Sequence, residues 1–597
     1  MTHAGTSRLL LFVAGLGGLL YGVDVGIIAG ALPYLEATSG LGAGQLSFVV
    51  AAVLLGSVLS TLFAGMLSDL LGRKPMMILS GLLFVASIPV IACSHGYGPL
   101  VLGRLLQGAS AGFIGVVVPL YLAECLDASS RGRGTALFQL LLTLGIVVAA
   151  LIGVYFSARV RTVAGFGDAR LLAGFEDSAW RSIFWTSLPP GVLFVAGSAL
   201  VGESPRWLHR RGRREEALAV LLRSREPGEA RSEFLEMERN AGAGGGPAGR
   251  HAAGRGGSLL RRKYVVPFVL ACVILACNQT TGVNSIIGYN TTILLQGGLS
   301  DAEAHWGYVV LSLVNFLMTM AGVAMVDRKG RKFLLSLGSA GIVASLLLTG
   351  LLFRHAEGRR VDVGDSIRAL MDPGGGIVFG QASADRFLRR QGGSAAALAG
   401  RPVSLVVIYS YGGFRAATAV MRSGDPPRAP VRLSREGCVP SNRVEAFFSS
   451  PFSDLDRARS AGLRIDSALI APVPGEANGW LTASLIFCFM GFFALGPGVC
   501  VWLALSELMP TRIRSNGMSA ALLINQAVST GIAATFLPTV GRYGYSTEFF
   551  VFAGCTVIYF LTATFLLPET KGRTLEEIEA LWSRCPATSG RKIRPGS

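Results

Sequence analysis

Charged side chains are scarce in this chain of 597 residues, of which only 15% are Asp, Glu, Lys or Arg. Hydrophobic residues make up 51%, and the mean hydropathy of +0.51 excludes an ordinary soluble domain. Histidine and cysteine are also scarce: six histidines stand apart, and nine cysteines form no CxxC pair. The sequence therefore has no pattern for a metal site, a disulfide framework, a cofactor or a catalytic nucleophile with its base, and we predict no enzyme.

Long apolar runs, by contrast, recur along the whole chain. Each has about 20 residues, enough to cross a bilayer core of roughly 30 Å as a helix. The runs lie at 9–32, 46–68, 76–94, 99–122, 135–157, 182–202, 264–295, 305–326, 333–353, 479–506, 515–538 and 547–567. The first is too long for a signal peptide and is followed at once by a second span. We therefore predict an all-α, multi-pass protein of twelve transmembrane helices in the lipid bilayer.

The formal net charge of +17 reflects an excess of basic residues, many of which lie between the apolar runs. The basic segments are 72–74, 131–133, 206–214, 327–332 and 511–514. The positive-inside rule places these segments, and with them both termini, in the cytoplasm. Topology thus explains the charge, and we expect no nucleic-acid partner.

Short motifs repeat in the two halves of the chain, in the same order. The pairs are "SDLLGRK" (68–74) with "VDRKGRK" (326–332), Glu124 and Arg131 with Glu507 and Arg514, and "ESPR" (203–206) with "PETKG" (568–572). Three ordered repeats indicate duplication of a six-span unit, a frequent construction of secondary transporters, which bind substrate between two halves that rock.

The acids and bases of these motifs fall where the cytoplasmic ends of the two halves would meet. We predict that they form a cytoplasmic latch that holds the outward-facing state; the alternative is that they only anchor helix ends and fix topology. The latch residues are Asp69, Arg73, Glu124, Arg131, Glu203, Arg206, Asp327, Arg331, Glu507, Arg514 and Glu569.

The full set of motifs resembles one known family. The chain carries, in order, "GRLLQGASAG", "PLYLAE", "RGRG", "ESPRWL", "NQTTGVN", "DRKGRK", "GPG" followed by Trp502, and "PETKGRTLEEIEALW". This order resembles the sugar porter family of the major facilitator superfamily, in particular bacterial sugar–proton symporters and facilitative glucose transporters. The likeness covers all twelve spans and leaves out residues 354–478. It implies the major facilitator fold and import of a monosaccharide, a hexose or pentose, by alternating access.

Span 7 is rich in amide side chains, which donate and accept hydrogen bonds at once and therefore suit a sugar. The resemblance implies that Gln279 and Asn284 contact the sugar, with Asn278 in place of the family's first glutamine. It also implies that Tyr289 belongs to the extracellular gate. The further sugar-binding residues implied are Gln139, Asn315, Trp502 and Asn525. For each amide alone, the alternative is an interhelical hydrogen bond that only holds the bundle together.

Asp24 lies inside span 1, where an uncompensated charge is costly and usually marks a function. The resemblance pairs it with Arg104 of span 4 in the proton-coupled members, whereas the passive transporters carry an asparagine. We predict that protonation of Asp24 breaks this ion pair and couples proton symport to the rocking of the halves. The alternatives are a structural role for Asp24, a facilitative sugar uniporter, and a membrane sugar sensor.

Two segments lie outside the spans. Residues 203–262 predict short cytoplasmic helices followed by a Gly/Ala linker. Residues 354–478 predict a small mixed α/β insertion on the extracellular or periplasmic face, with strands within 401–420, 444–450 and 464–473. The remaining divisions are 1–202, 263–353, 479–570 and a cytoplasmic tail, 571–597. We expect a monomer in a bacterial inner membrane.

Overall fold

The computed structural model describes residues 3–126, 128–245, 262–371, 376–377, 379–391, 396–418, 421–424, 431–439, 453–508 and 514–569. Twelve helices within these ranges are long and apolar enough to cross a membrane, which confirms the predicted number of spans. Several predictions lie outside the described residues: the linker after 245, the strand at 444–450, the tail at 571–597, and the side chains of Arg131, Asp327, Trp502, Glu507 and Arg514.

The N-terminal half contains seven helices that make six spans. They are α1 (His3–Thr38), α2 (Ala43–Leu71), α3 (Arg73–Ala92), α4 (Tyr97–Cys125), α5 (Ala128–Ala164), α6 (Ala169–Trp185) and α7 (Leu188–Leu200). Span 6 combines α6 and α7 and begins at Ala169, earlier than the predicted 182. Asp168 caps this start, because its Oδ1 accepts hydrogen bonds from the backbone N–H groups of Arg170 and Leu171, at 2.9 and 3.2 Å.

Glycines set how closely these helices pack. A Cβ atom on Gly22 of α1 would lie 1.8 Å from the carbonyl oxygen of Leu142 on α5. On α4, a Cβ atom on Gly108 would lie 1.9 Å from the carbonyl oxygen of Val53 on α2. Such contacts leave no room for any side chain, so the backbones touch directly, as small residues allow in membrane bundles.

Three short helices follow span 6, and the C-terminal half then begins. The three are α8 (Pro205–Arg210), α9 (Arg214–Ser224) and α10 (Pro227–Gly245). The next five are α11 (Arg262–Thr280), α12 (Val283–Gly288), α13 (Asn290–Gly297), α14 (Asp301–Lys329) and α15 (Arg331–Glu357). Span 7 is thus broken twice, after Thr280 and at Tyr289. Gly282 has a φ of 80°, in the left-handed region that favours glycine, and it lies against the ring of Phe552.

The insertion after α15 is a small α/β domain, as predicted. Its elements are β1 (Val361–Asp362), β2 (Gly376–Ile377), α16 (Gln381–Gln391), β3 (Val403–Tyr411), β4 (Phe414–Ala417), β5 (Met421–Arg422), β6 (Val431–Arg432), α17 (Leu455–Ser460) and β7 (Leu463–Pro472). The antiparallel main sheet has the order β1-β7-β3-β4, with β5 also paired to β3, while β2 pairs with β6. Leu405, Val407 and Ile470 of this sheet are fully buried against α16 and its neighbours.

The last three spans complete the bundle. Span 10 consists of α18 (Glu476–Leu495) and α19 (Pro497–Leu508), and span 11 is α20 (Arg514–Tyr543). Span 12 is α21 (Tyr545–Leu561), which ends in a π-helical turn at Thr562–Leu566. The inserted domain lies where α1 ends and α2 begins, since Gln45 Nε2 donates a hydrogen bond to the carbonyl oxygen of Glu436 at 3.1 Å. We call this the insertion end, and the opposite end, where the repeated motifs lie, the motif end.

The largest buried cluster joins the two halves. It brings Ile28 of α1 and Val50 of α2 together with Ile286 of α12 and Tyr308 of α14. The outer surface of the bundle is apolar: Leu59, for example, is 51% exposed on α2. An apolar seam inside and an apolar surface outside are what a bundle surrounded by hydrocarbon requires.

Candidate functional site

Four polar side chains form a hydrogen-bonded group between span 7 and α20, which we call the amide network. Gln279 Nε2 donates to Asn525 Oδ1 at 3.1 Å. Asn284 Nδ2 donates to Gln279 Oε1 at 2.9 Å and to Ser529 Oγ at 2.7 Å. The break after Thr280 places Gln279 at the end of one helix and Asn284 on the next. The structure therefore brings together three of the residues that the resemblance implied.

The amide network borders the seam between the halves. Gln526 follows Asn525 on α20, and its Nε2 donates a hydrogen bond to Ser57 Oγ of α2 at 3.3 Å. Gln526 also lies beside Tyr21 of α1. The sequence analysis missed Ser529, Gln526, Ser57 and Tyr21. The only available signal was the position of Gln526 beside Asn525 and of Ser529 one turn later.

An aromatic pair lies next along span 7, toward the insertion end. The ring of Tyr289 stacks on that of Phe536, with centroids 4.6 Å apart and planes at 12°. The Tyr289 hydroxyl donates to the carbonyl oxygen of Ala533 at 3.1 Å, and the whole side chain is buried. Gly288, just before it, faces Val50 and Ile28 of the N-terminal half. Span 7 is therefore closed against both α20 and the opposite half.

Other residues predicted to bind substrate lie outside the amide network. Asn278 is buried, and its Oδ1 has no hydrogen-bond partner in the described part of the chain. Asn315 of α14 is 8% exposed, and Gln139 of α5 is half-buried. The hydrogen bonds of the described residues do not connect these three side chains with the network. Their role in binding stays a prediction.

Asp24 and Arg104 lie near each other and are each 1% exposed, but they form no ion pair. Arg104 instead donates through Nη1 to Gln107 Oε1 at 2.7 Å and through Nε to the carbonyl oxygen of Val49 at 3.4 Å. Both carboxylate oxygens of Asp24 lack a hydrogen-bond partner among the described residues. The predicted ion pair is therefore open in this conformation, because other acceptors occupy the guanidinium.

Several latch residues of the N-terminal half meet at the motif end. Arg73 Nε and Nη2 donate to the two carboxylate oxygens of Glu124, at 2.8 and 2.9 Å. Arg73 also forms a salt bridge of 2.9 Å with Asp69. Its backbone N–H donates to Glu203 Oε1 at 3.0 Å. Arg73 is 1% exposed, so this bidentate geometry compensates a buried charge.

Glu203 caps the start of α3. Burial raises the pKa of Glu203 above its usual range, against the opposing effect of hydrogen bonds from the backbone N–H groups of Ser204, Lys74 and Arg73. Lys74 N lies 3.2 Å from Glu203 Oε1. A carboxylate at a helix N-terminus accepts N–H groups that have no partner within the helix.

Two further latch residues, Arg206 and Glu569, form contacts among the described residues. Arg206 pairs with Glu233 of α10, at 3.9 Å, because the short helices after span 6 fold back beside it. In the C-terminal half, Glu569 accepts the backbone N–H of Arg331 at 3.2 Å and so repeats the role of Glu203. Each of these contacts joins elements within one half or its adjoining helices, and a latch across the halves stays a prediction.

The described residues contain no group of three or more His, Cys, Asp or Glu side chains able to hold a metal ion. The chemistry that this arrangement offers is hydrogen bonding by neutral amides and hydroxyls, beside one buried carboxylate. It suits reversible binding of an uncharged, hydroxyl-rich molecule.

Comparison with known proteins gives a consistent result. A family model described as "Sugar (and other) transporter" matches residues 10–368 and 467–582. The proton myo-inositol cotransporter of Homo sapiens is 26% identical over 583 residues, 97% of this chain and 82% of its own length. The galactose-proton symporter of Escherichia coli (strain K12) is 24% identical over 585 residues, 98% and 95% of the two chains.

Solved structures share the fold. The xylose transporter XylE from E. coli, in a partially occluded inward open conformation, aligns with a TM-score of 0.63. The alignment covers 96% of this chain and 100% of that chain, at 18% sequence identity. With its twelve spans and its match to the family model, the chain belongs to the Sugar (and other) transporter family, the sugar porters of the major facilitator superfamily, which are membrane transporters and not enzymes.

Proposed function

We propose that the protein is a secondary active transporter that imports a monosaccharide, a hexose or pentose, by alternating access with proton symport. The observation that carries the proposal is the amide network at the seam between the halves. Amides that bond to one another can exchange those bonds for sugar hydroxyls without leaving a buried polar group unpaired. The relatives named for galactose, myo-inositol and xylose support a polyhydroxylated substrate.

Asp24 and Arg104 supply the proton coupling. A neutral Asp24 needs no counter-charge, and Arg104 then keeps Gln107 and Val49 as partners. When Asp24 releases its proton, the buried carboxylate attracts Arg104 away from them. The movement passes along α1 to Tyr21, which lies one turn before Asp24 and beside Gln526 of the other half. Proton binding thereby biases the rocking of the halves.

The orientation that we propose places the motif end and both termini in the cytoplasm. The basic segments around Arg73, Arg331 and α8 all lie at the motif end, which the positive-inside rule assigns to the cytoplasm. The inserted domain then faces the outside. The protein acts as a monomer, since the two six-span halves of one chain already pack against each other. It lies in a bacterial inner membrane.

The test is uptake by proteoliposomes that contain the purified full-length chain. Labelled glucose, xylose, galactose, arabinose and myo-inositol are offered separately, with and without an inward proton gradient. We expect one of them to accumulate above its outside concentration with the gradient, and only to equilibrate once a protonophore is added. Equilibration alone would make the protein a facilitative uniporter, and a folded, inserted protein without any uptake would contradict sugar transport.

A further inference from the structure

Helix α1 of one half and helix α14 of the other form a regular series of contacts at the insertion end. On α1 the positions recur every four residues, and on α14 every three or four, so both sets lie on facing stripes. From mid-depth outward, the pairs are Gly26 with Tyr308, Gly30 with His305, and Tyr34 with Asp301. No motif of the family drew attention to these positions.

The first and the last pair are hydrogen bonds across the seam, and the middle pair is a polar contact. The Tyr308 hydroxyl donates to the carbonyl oxygen of Gly26 at 3.0 Å. Nε2 of His305 lies 3.4 Å from the carbonyl oxygen of Gly30, and Nδ1 also faces a carbonyl oxygen, so the neutral ring donates one of these two hydrogen bonds and only the protonated ring donates both. The Tyr34 hydroxyl donates to Asp301 Oδ2 at 3.3 Å. Glycines at two of the three α1 positions leave the carbonyl oxygens open to the partner helix.

The outermost pair is reinforced from two sides. The Tyr34 and His305 rings stack, with centroids 5.8 Å apart and planes at 10°. Asp301 also accepts a hydrogen bond from Ser157 Oγ of α5, so its carboxylate contacts two helices of the opposite half. Nδ1 of His305 lies 2.8 Å from the carbonyl oxygen of its own Asp301, which fixes the ring. His305 and Tyr34 are 0% and 1% exposed.

We propose that Tyr34, Asp301 and His305 are positioning residues that hold the insertion end of the transporter closed, and we call them the outer clasp. Any opening between the halves at this end must separate α1 and α5 from α14 and therefore break all of these bonds. This proposal rests on the proposed function in one respect: transport by alternating access requires that this end opens. Tyr34 lies on the same helix as Asp24, so the proton site and the closure share α1.

Ser47 of α2 provides a reporter on a helix that carries no clasp residue. It is fully buried at the seam between α2 and α20, where its Oγ accepts the backbone N–H of Leu537 at 3.1 Å. A thiol introduced by Ser47→Cys reacts with a maleimide only when this seam opens. The experiment uses purified full-length protein in micelles, so that both faces are accessible, and needs neither sugar nor a proton gradient. The protein without Ser47→Cys gives the background from the native cysteines.

Labelling rates are compared in the Ser47→Cys background, alone and combined with Tyr34→Phe or Asp301→Asn. Losing one of these hydrogen bonds should raise the labelling rate by at least about threefold. The matched control is Tyr155→Phe, because Tyr155 of α5 is 58% exposed on the outer surface and should leave the rate unchanged. Thermal unfolding of each variant separates opening of the seam from loss of the fold.

Unchanged labelling in both clasp variants, with the fold intact, would overturn the outer clasp. Faster labelling in a protein that transports no sugar would support the clasp and contradict the proposed function, so the two failures are distinguishable. If the protein transports sugar, its half-saturation concentration for uptake gives a second readout. A merely structural role of the clasp residues would lower the amount of folded protein and leave that concentration unchanged. A clasp variant should instead change that concentration, since it alters how often the outer site is open.

Discussion

Asp24 of α1 is a buried acid near Arg104, whose hydrogen-bond partners lie on α4 and α2. Its carboxylate has no hydrogen-bond partner in the described part of the chain, while the nearby Arg104 is already bonded to Gln107 and Val49. An unpaired carboxylate and an occupied guanidinium side by side are a poor arrangement for a structural ion pair. They fit a site that gains and loses its charge as the protein works.

Gln279 links two members of the amide network, because it both donates to Asn525 and accepts from Asn284. Gln279→Ala should weaken binding of the transported sugar by about tenfold or more, since roughly two hydrogen bonds lose their partner. Binding is measured by calorimetry or by tryptophan quenching in detergent. The control is Asn478→Ala, which removes an exposed amide at the start of α18. Equal affinities for the two variants would contradict the assignment of Gln279.

At the residue scale, the sequence predicts the polar partners better than their surroundings. Gln279, Asn284 and Asn525 stand out because amides are rare and costly inside a membrane helix. Ser529 and Phe536 complete the site but are ordinary residues of such helices, so nothing in the sequence marks them. Contacts such as these depend on how α20 is rotated against span 7, and that rotation is decided by packing over the whole bundle.

At the scale of helices, close packing through glycine is what fixes the N-terminal half. A Cβ atom on Gly56 of α2 would lie 2.3 Å from the carbonyl oxygen of Leu105 on α4. Backbone cannot move aside as a flexible side chain can, so the two helices would have to separate along their length.

Gly56→Ala should therefore destabilise the protein by about 1–3 kcal/mol, the usual cost of overpacking. Gly65 lies on the same helix, is exposed, and has nothing within 4 Å of an added Cβ atom. Gly65→Ala should be neutral or slightly stabilising, because alanine is the better helix former. Thermal unfolding of the two variants in the same detergent makes the comparison, and a similar loss in both would contradict this account of the packing.

In the inserted domain, the sequence predicts the long strands and not the short ones. The apolar and β-branched run before Gly412 and Gly413 predicts β3, the turn and β4, and the residues from 464 predict β7. The other strands, β1, β2, β5 and β6, have only two residues each, which is too short for a periodic pattern. β1 and β5 form because β7 and β3 provide edges with which they can pair, whereas β2 and β6 pair with each other.

For the molecule as a whole, the described contacts between the halves concentrate from mid-depth to the insertion end. Gln526 with Ser57, Leu537 with Ser47, and the outer clasp all lie there. The inserted domain adds to this closure, because β4 contacts α2 of one half and α20 of the other. Opening this end must therefore also rearrange the inserted domain on at least one half.

The sequence predicts the two-half architecture well and the seam poorly, for a physical reason. Twelve apolar runs and three repeated motifs are local signals, whereas Tyr34 and Asp301 are 267 residues apart in the chain. Which residues meet across the seam depends on the conformation of the transporter. Asp24 and Arg104 lie within one half, and there the sequence does not show that Gln107 and Val49 accept the hydrogen bonds of Arg104.

The central claim is that protonation of Asp24 couples sugar movement to the proton gradient. The most direct measurement compares the intact protein with Asp24→Asn in proteoliposomes, following both accumulation under an inward proton gradient and exchange of labelled sugar at equilibrium. Asparagine keeps the size of the side chain but binds no proton. We predict that Asp24→Asn loses accumulation and retains exchange within about twofold of the intact protein. Accumulation that persists in Asp24→Asn would contradict the account.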